Sequence, residues 1–146
     1  MSLKISSLIA FGVAVLGIAF LIKKDFIFSN NPITIVIQVC SVILMIWARI
    51  TFGIRSFHAP ANTTKGKLVT NGPYHWLRHP IYAALIYFFF AVIISHPIIE
   101  VIMAVFVITG GLFARMIFEE KFLLETYQDE YLKYLKTTKR IIPFLF

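Results

Sequence analysis

Apolar positions along the chain gather into four runs, at residues 5–22, 32–47 with an extension toward 54, 81–95 and 97–118, separated by short polar stretches. A helix needs roughly 20 residues to cross the hydrocarbon core of a bilayer, so the first, second and fourth runs predict spanning helices. The third is shorter, and spans if the Ser95-His96-Pro97 turn sits low in the far interface. From Glu119 onward the pattern changes. Leu123, Tyr127, Tyr131 and Leu135 recur every four residues with charges between them, the period of an amphipathic helix continuing the fourth span. Pro143 is expected to stop it. Two placements are open to that helix: along the membrane surface, or folded back over the loop between the second and third runs.

The expected class is therefore all-α: a polytopic membrane protein of about four spans with a carboxyl-terminal amphipathic helix. One membrane domain, 1–146, divides into a two-span hairpin at 1–56 and a second part at 57–146. The second part holds a polar loop over 57–80, another hairpin and the terminal helix.

Composition strengthens this reading. With 59% hydrophobic and 14% charged residues and a mean hydropathy of +0.83, the chain is outside the range of soluble domains. The first run is longer than a secretory signal core and ends in Lys23-Lys24-Asp25 instead of a small-residue cleavage pattern, so it reads as a retained span. The net charge of +7 is unevenly spread. Arg55, Lys65, Lys67 and Arg78 occupy the central loop, and Lys121, Lys133, Lys136, Lys139 and Arg140 the tail. Only Lys23 and Lys24 fall in the first connection, and His96 alone in the last. The positive-inside bias then puts the amino terminus, central loop and tail in the cytoplasm, against anionic headgroups. Membrane lipids are the expected partners. Nucleic acid is not, because the basic residues form no stripe. The lone Cys40 allows no intrachain disulfide and reads as a small packing residue.

Two short stretches carry candidate chemistry. In "NGPYHWLRHPIY", residues 71–82, the proline pushes His79 out of the helical region while Pro80 opens the third span at its first helical position. The helix start, with Arg78 beside it, favours an anion such as a carboxylate or phosphate. The competing reading has Arg78 and His79 capping the span against lipid headgroups. His75 and His79 are four apart, but Pro80 disfavours the helix a zinc pair needs and no third ligand is near, so no metal site is expected. In "RMIFEE", Arg115 and Glu119 share a helix face. A plain ion pair would explain them, yet ionisable groups at membrane depth tend to face a polar cavity or ligand. Gly110-Gly111 and Ala114 thin the same helix for close approach by a neighbour or a cofactor. A cationic helix start and an acidic helix end flanking one interfacial cavity would suit a zwitterion, such as an amino-acid moiety.

"KLVTNGPYHWLRHPIY", followed at a hairpin's distance by "RMIFEEKFLLETYQDEYLKYLKTTKRIIP", resembles the integral-membrane methyltransferases of the isoprenylcysteine carboxyl methyltransferase family, with phospholipid methyltransferases as relatives. The resemblance covers about 66–143. It implies S-adenosyl-L-methionine as cofactor without a Rossmann domain, in keeping with the absence of a Gly-rich fingerprint. By position it implies that Lys67, Leu68 and Val69 line the cofactor pocket, and that Tyr74, His79, Pro80, Ile81 and Tyr82 hold the cofactor. It makes Glu119 the cofactor's acidic partner with Glu120 beside it, and puts Arg115 by the acceptor carboxylate. Gly66 stands where prenylcysteine enzymes can carry histidine, and "HAPANT" has no equivalent of their glutamine, which bears on the acceptor. The implied activity is methyl transfer to a lipophilic acceptor at the cytoplasmic interface, most simply an isoprenylcysteine carboxylate. A carboxylate needs no general base, and no dedicated base is evident. The alternatives are a phospholipid or other lipophilic amine as acceptor, an NADPH-dependent membrane reductase, or a non-catalytic membrane protein.

Overall fold

The computed structural model describes residues 3–53 and 67–145. Arg55, Lys65, Gly66 and the "HAPANT" stretch lie outside them. Four helices carry the fold: α1 (Leu3–Lys23), α2 (Pro32–Phe52), α3 (Pro80–Ser95) and α4 (Ile99–Thr137), with a one-turn 3₁₀ helix at Gly72–His75 between α2 and α3. α1 packs on α4 and α2 on α3, and a smaller α3–α4 contact joins the two pairs.

Lipid tails are as apolar as leucine side chains, so helices associate in a bilayer through close packing and polar links. Both are present. Ser7, Ala10, Ala14, Gly17 and Leu21 form the buried face of α1, at the spacing of one helical stripe. Opposite lies Gly111, where a Cβ would come 2.6 Å from the Ala10 carbonyl oxygen; the two backbones all but touch there. Gly110 faces open space, so one glycine of the pair makes the approach. α2 starts where Asn31 accepts from the Ile33 amide at 2.9 Å and Pro32 occupies the first turn. Its buried Gln38 accepts from the Ser29 amide at 3.1 Å and donates to the Ile27 carbonyl at 3.0 Å, tying the first connection to the helix. Cys40 faces outward with Ile33, Val36 and Ile43, toward lipid and not into the packed interior the sequence suggested.

Among the described residues three helices are long and apolar enough to cross a membrane, where about four spans were expected. α3, with 16 residues, rises about 24 Å, short of the hydrocarbon core. Pro80 sets its beginning and the Ser95-His96-Pro97 turn its end.

α4 consists of two helical pieces joined at Gln128; the apolar stretch 99–118 accounts for the span and 119–137 lies beyond it. The amphipathic helix is thus the continuation of α4. Gln128, at φ 44 and ψ −116, breaks its regularity; beyond the break Tyr131 and Tyr134 are buried and Leu135 is half-buried. The helix ends at Thr137, before Pro143, because the chain is drawn out straight to pair with residues 76–79. The Arg78 amide donates to the Lys139 carbonyl at 2.7 Å, the His79 amide to the Arg140 carbonyl at 3.1 Å, and the Lys139 amide to the Trp76 carbonyl at 3.2 Å. Residues 138–141 therefore form a strap across the turn before α3, with a parallel bridge between Leu77 and Lys139. The Tyr87 hydroxyl donates to the Ile141 carbonyl. Of the two placements open to the terminal helix, the structure adopts the folded-back one.

Candidate active site

The site stands at the end of the bundle that carries this strap. Gly72 has φ +56, a left-handed conformation glycine adopts without a steric penalty, and a Cβ there would also lie 2.7 Å from the Thr51 hydroxyl. The turn it makes buries Tyr74 against Phe52, ring centroids 5.5 Å apart, with the Tyr134 hydroxyl donating to the Tyr74 carbonyl at 2.6 Å. Next comes His79, at φ −128 and ψ 59, outside the helical region as a residue before proline should be. Pro80 is the first residue of α3, and no side chain caps the helix start.

His79 is 5% exposed and lies between the two carboxylates of α4. Its Nε2 is 3.3 Å from Glu120 Oε1, and its Nδ1 is 3.8 Å from Glu119 Oε2. The start of α3 therefore meets the middle of α4, where the sequence suggested an acidic helix end. A carboxylate oxygen only accepts, so the Glu120 contact puts the imidazole proton on Nε2.

The adjacent glutamates have different surroundings. Glu120 has Arg78 NH1 at 3.2 Å and Arg140 in a forked pairing, NH2 at 2.8 Å and Nε at 3.2 Å from both oxygens. Burial works to raise its pKa, but hydrogen bonds from His79 and Arg140, with the nearby charge of Arg78, outweigh it and hold the carboxyl down to about 2. Glu119 has looser company. Arg115 NH2 is 4.0 Å away and His79 3.8 Å. Its side chain is 27% exposed against 13% for Glu120. Glu119 thus keeps acceptor capacity, and Glu120 has little left.

Arg115 is buried and held from three helices. Its Nε donates to the Tyr82 hydroxyl of α3 at 2.6 Å, its guanidinium sits 4.8 Å from the Phe11 ring centroid of α1, and Glu119 is one turn along its own helix. Tyr74 lies within the field of Glu119: burial first, and that charge second, push its hydroxyl pKa up. Burial likewise raises those of Tyr131 and Tyr134.

The structure brings together Tyr74, His79, Tyr82, Arg115, Glu119 and Glu120. Pro80 and Ile81 sit at the same helix start, Pro80 buried and Ile81 half-buried. Lys67, Leu68 and Val69 run irregularly just before the Gly72 turn; Lys67 is exposed and the other two half-buried. Among the described residues no side-chain hydrogen bond or ion pair joins these three to the cluster. Three contributors escaped the sequence reading. Tyr131 and Tyr134 registered only as an amphipathic stripe or not at all, and Arg140 only as a tail charge.

The donor set fits an amino-acid zwitterion. The Tyr131 hydroxyl and Arg78 Nε are buried without a hydrogen-bond partner, leaving donors for a carboxylate, and Glu119 has lone pairs for an ammonium.

Among known proteins, no curated protein and no solved structure matches the chain. The family model for phospholipid methyltransferase does, over residues 32–130, which takes in α2, the 3₁₀ turn, α3 and both glutamates of α4. With well over half of its 146 residues so matched, the chain belongs to the phospholipid methyltransferase family.

Proposed function

We propose that the protein transfers the methyl group of S-adenosyl-L-methionine to an amine nitrogen of a phospholipid headgroup, or of another small lipophilic amine, at the membrane interface. The match to the phospholipid methyltransferase family model over residues 32–130 carries this reading, and it favours a headgroup acceptor over an isoprenylcysteine carboxylate. Arg115, with Nε on Tyr82 and NH2 4.0 Å from Glu119, stands beside the cofactor side of the site.

Glu119 would hold the ammonium of the cofactor's amino-acid part, and Arg78 with Tyr131 its carboxylate. Tyr74 and residues 67–69 would line the remainder. When bound, the cofactor supplies a methyl group on a sulfonium whose positive charge disappears on transfer. The chain's contribution is alignment and exclusion of water by the strap and the buried tyrosines. An amine acceptor must present a free lone pair, and no side chain here is a dedicated base, so its proton leaves to water at the polar face. The basic loop and tail put that face in the cytoplasm, where the cofactor enters; the acceptor enters laterally between helices.

The test is incubation of membranes containing the protein with cofactor labelled on its methyl group. Label in a base-stable headgroup position is the expected result. Label released by mild base means an ester and a carboxylate acceptor. No label in any lipid extract, together with binding of NADPH and none of S-adenosylhomocysteine, would refute methyl transfer in favour of a reductase.

A further inference from the structure

We infer that Arg140, in the carboxyl-terminal strap, is a positioning residue of the site: through Glu120 it fixes the tautomer and the ring plane of His79. Glu120 Oε1 meets His79 Nε2, Arg78 NH1 and Arg140 Nε, whereas the contacts of Oε2 come from Arg140 alone among the described residues, at 2.8 and 3.2 Å. A guanidinium fork grips a carboxylate in one plane, as a single ammonium cannot. The plane of the Glu120 carboxylate is thus set by Arg140. That plane decides which direction His79 Nε2–H must face, and hence that Nδ1 is turned toward Glu119, 3.8 Å away.

The fork is itself held in place. Backbone bonds from Arg78 to Lys139, His79 to Arg140 and Lys139 to Trp76 register the strap on the very turn that carries His79, so Arg140 leaves the strap at a fixed point opposite Glu120. Without Arg140, Arg78 still neutralises Glu120 through one oxygen but leaves the carboxylate free to rotate. His79 then loses its single acceptor direction.

The test uses the full chain in lipid nanodiscs with ¹⁵N-labelled histidine. At a pH high enough to keep the ring neutral, the wild-type His79, assigned by loss of its signals in His79→Gln, is expected to show one tautomer, with the proton on Nε2. In Arg140→Ala both tautomers should appear, and Arg140→Lys should restore the single form only in part. If Arg140→Ala does not fold, Arg140→Gln, which keeps a polar side chain without the fork, gives the same reading. Affinity for S-adenosylhomocysteine supplies a second readout, and only this one rests on the proposed function. It is expected to fall about tenfold in Arg140→Ala and in Glu120→Gln, with no further loss in the double variant, because the first acts through the second. A single Nε2–H tautomer surviving in Arg140→Ala with a lowered melting temperature would overturn the inference and leave the strap a purely structural tie. Additive losses of affinity would overturn it too. A tautomer change in a protein whose wild type binds no S-adenosylhomocysteine would sink the proposed cofactor and leave the inference standing.

Discussion

Replacing each of the two adjacent glutamates by glutamine should separate stability from ligand binding. Glu120 has its carboxyl held at about 2 against an ordinary 4.5. At 1.36 kcal/mol per unit, that displacement corresponds to a ceiling of about 3 kcal/mol for its ionised form in the fold. Arg140, its closest partner, is 31% exposed, and solvent screening brings the expectation to about 2 kcal/mol. Glu119→Gln breaks only contacts of 3.8 and 4.0 Å at a partly open position, and should cost under about 0.5 kcal/mol. Denaturant titration in mixed micelles, read by the fluorescence of Trp76 beside the strap, measures both. S-adenosylhomocysteine binding should show the reverse order at Glu119, with affinity lost more than tenfold while stability is kept. The pH dependence follows from the sign of the shift. A depressed carboxyl contributes fully above its unfolded value near 4.5 and loses that contribution as pH falls toward about 2. Wild type and Glu120→Gln should therefore differ at pH 7 and converge at the acid end. Equal destabilisation by the two substitutions, or a gap that persists at pH 2, would refute the division of roles.

Four further outcomes are expected. Gly111→Val pushes a side chain onto the Ala10 carbonyl and should destabilise by about 1–3 kcal/mol, whereas Gly110→Ala, with open space around it, should be neutral or better in the same denaturant titration. Tyr134→Phe leaves the Tyr74 carbonyl without its donor and should cost about 1–3 kcal/mol, with faster proteolysis of the terminal segment. Arg115→Ala should weaken cofactor affinity and turnover together, because it loosens Tyr82 and Glu119; an unchanged affinity with lost turnover would restore the carboxylate reading. For an amine acceptor, turnover at saturating cofactor should rise with pH as the amine loses its proton, while a carboxylate acceptor would give a flat profile above pH 6.

Apolar run lengths, Pro32 and Pro80 made the helix boundaries legible, since both prolines act locally and each opens a helix. His79 and Glu119 announced themselves by being polar at the rim of apolar segments, and the expectation that they stand together agrees with the 3.8 Å between them, although Glu119 lies within α4 and not at its end. What remained hidden depends on long-range geometry. Nothing local distinguishes Glu119 from Glu120; the difference comes from Arg78 and Arg140, and Arg140 arrives from beyond a helix break. The fourfold stripe in the tail assumed one unbroken helix, and Gln128 defeats that assumption; Tyr134, one step off the stripe, joins Tyr131 in the buried set while Leu135 is half-buried. The pattern also could not show that Arg115, seen beside Glu119, would point its Nε at a tyrosine from another helix.

The strap has a consequence for how the protein is made. Helices α1, α2 and α3 can enter the bilayer and settle while α4 is still being synthesised, but His79 waits for a partner some sixty positions later in the chain. At roughly 5–20 residues per second, the nascent polypeptide spends several seconds as an inserted bundle with an unassembled pocket. Competence to bind ligand should therefore appear abruptly, when residues 138–141 clear the ribosome, and not grow gradually as each span is added.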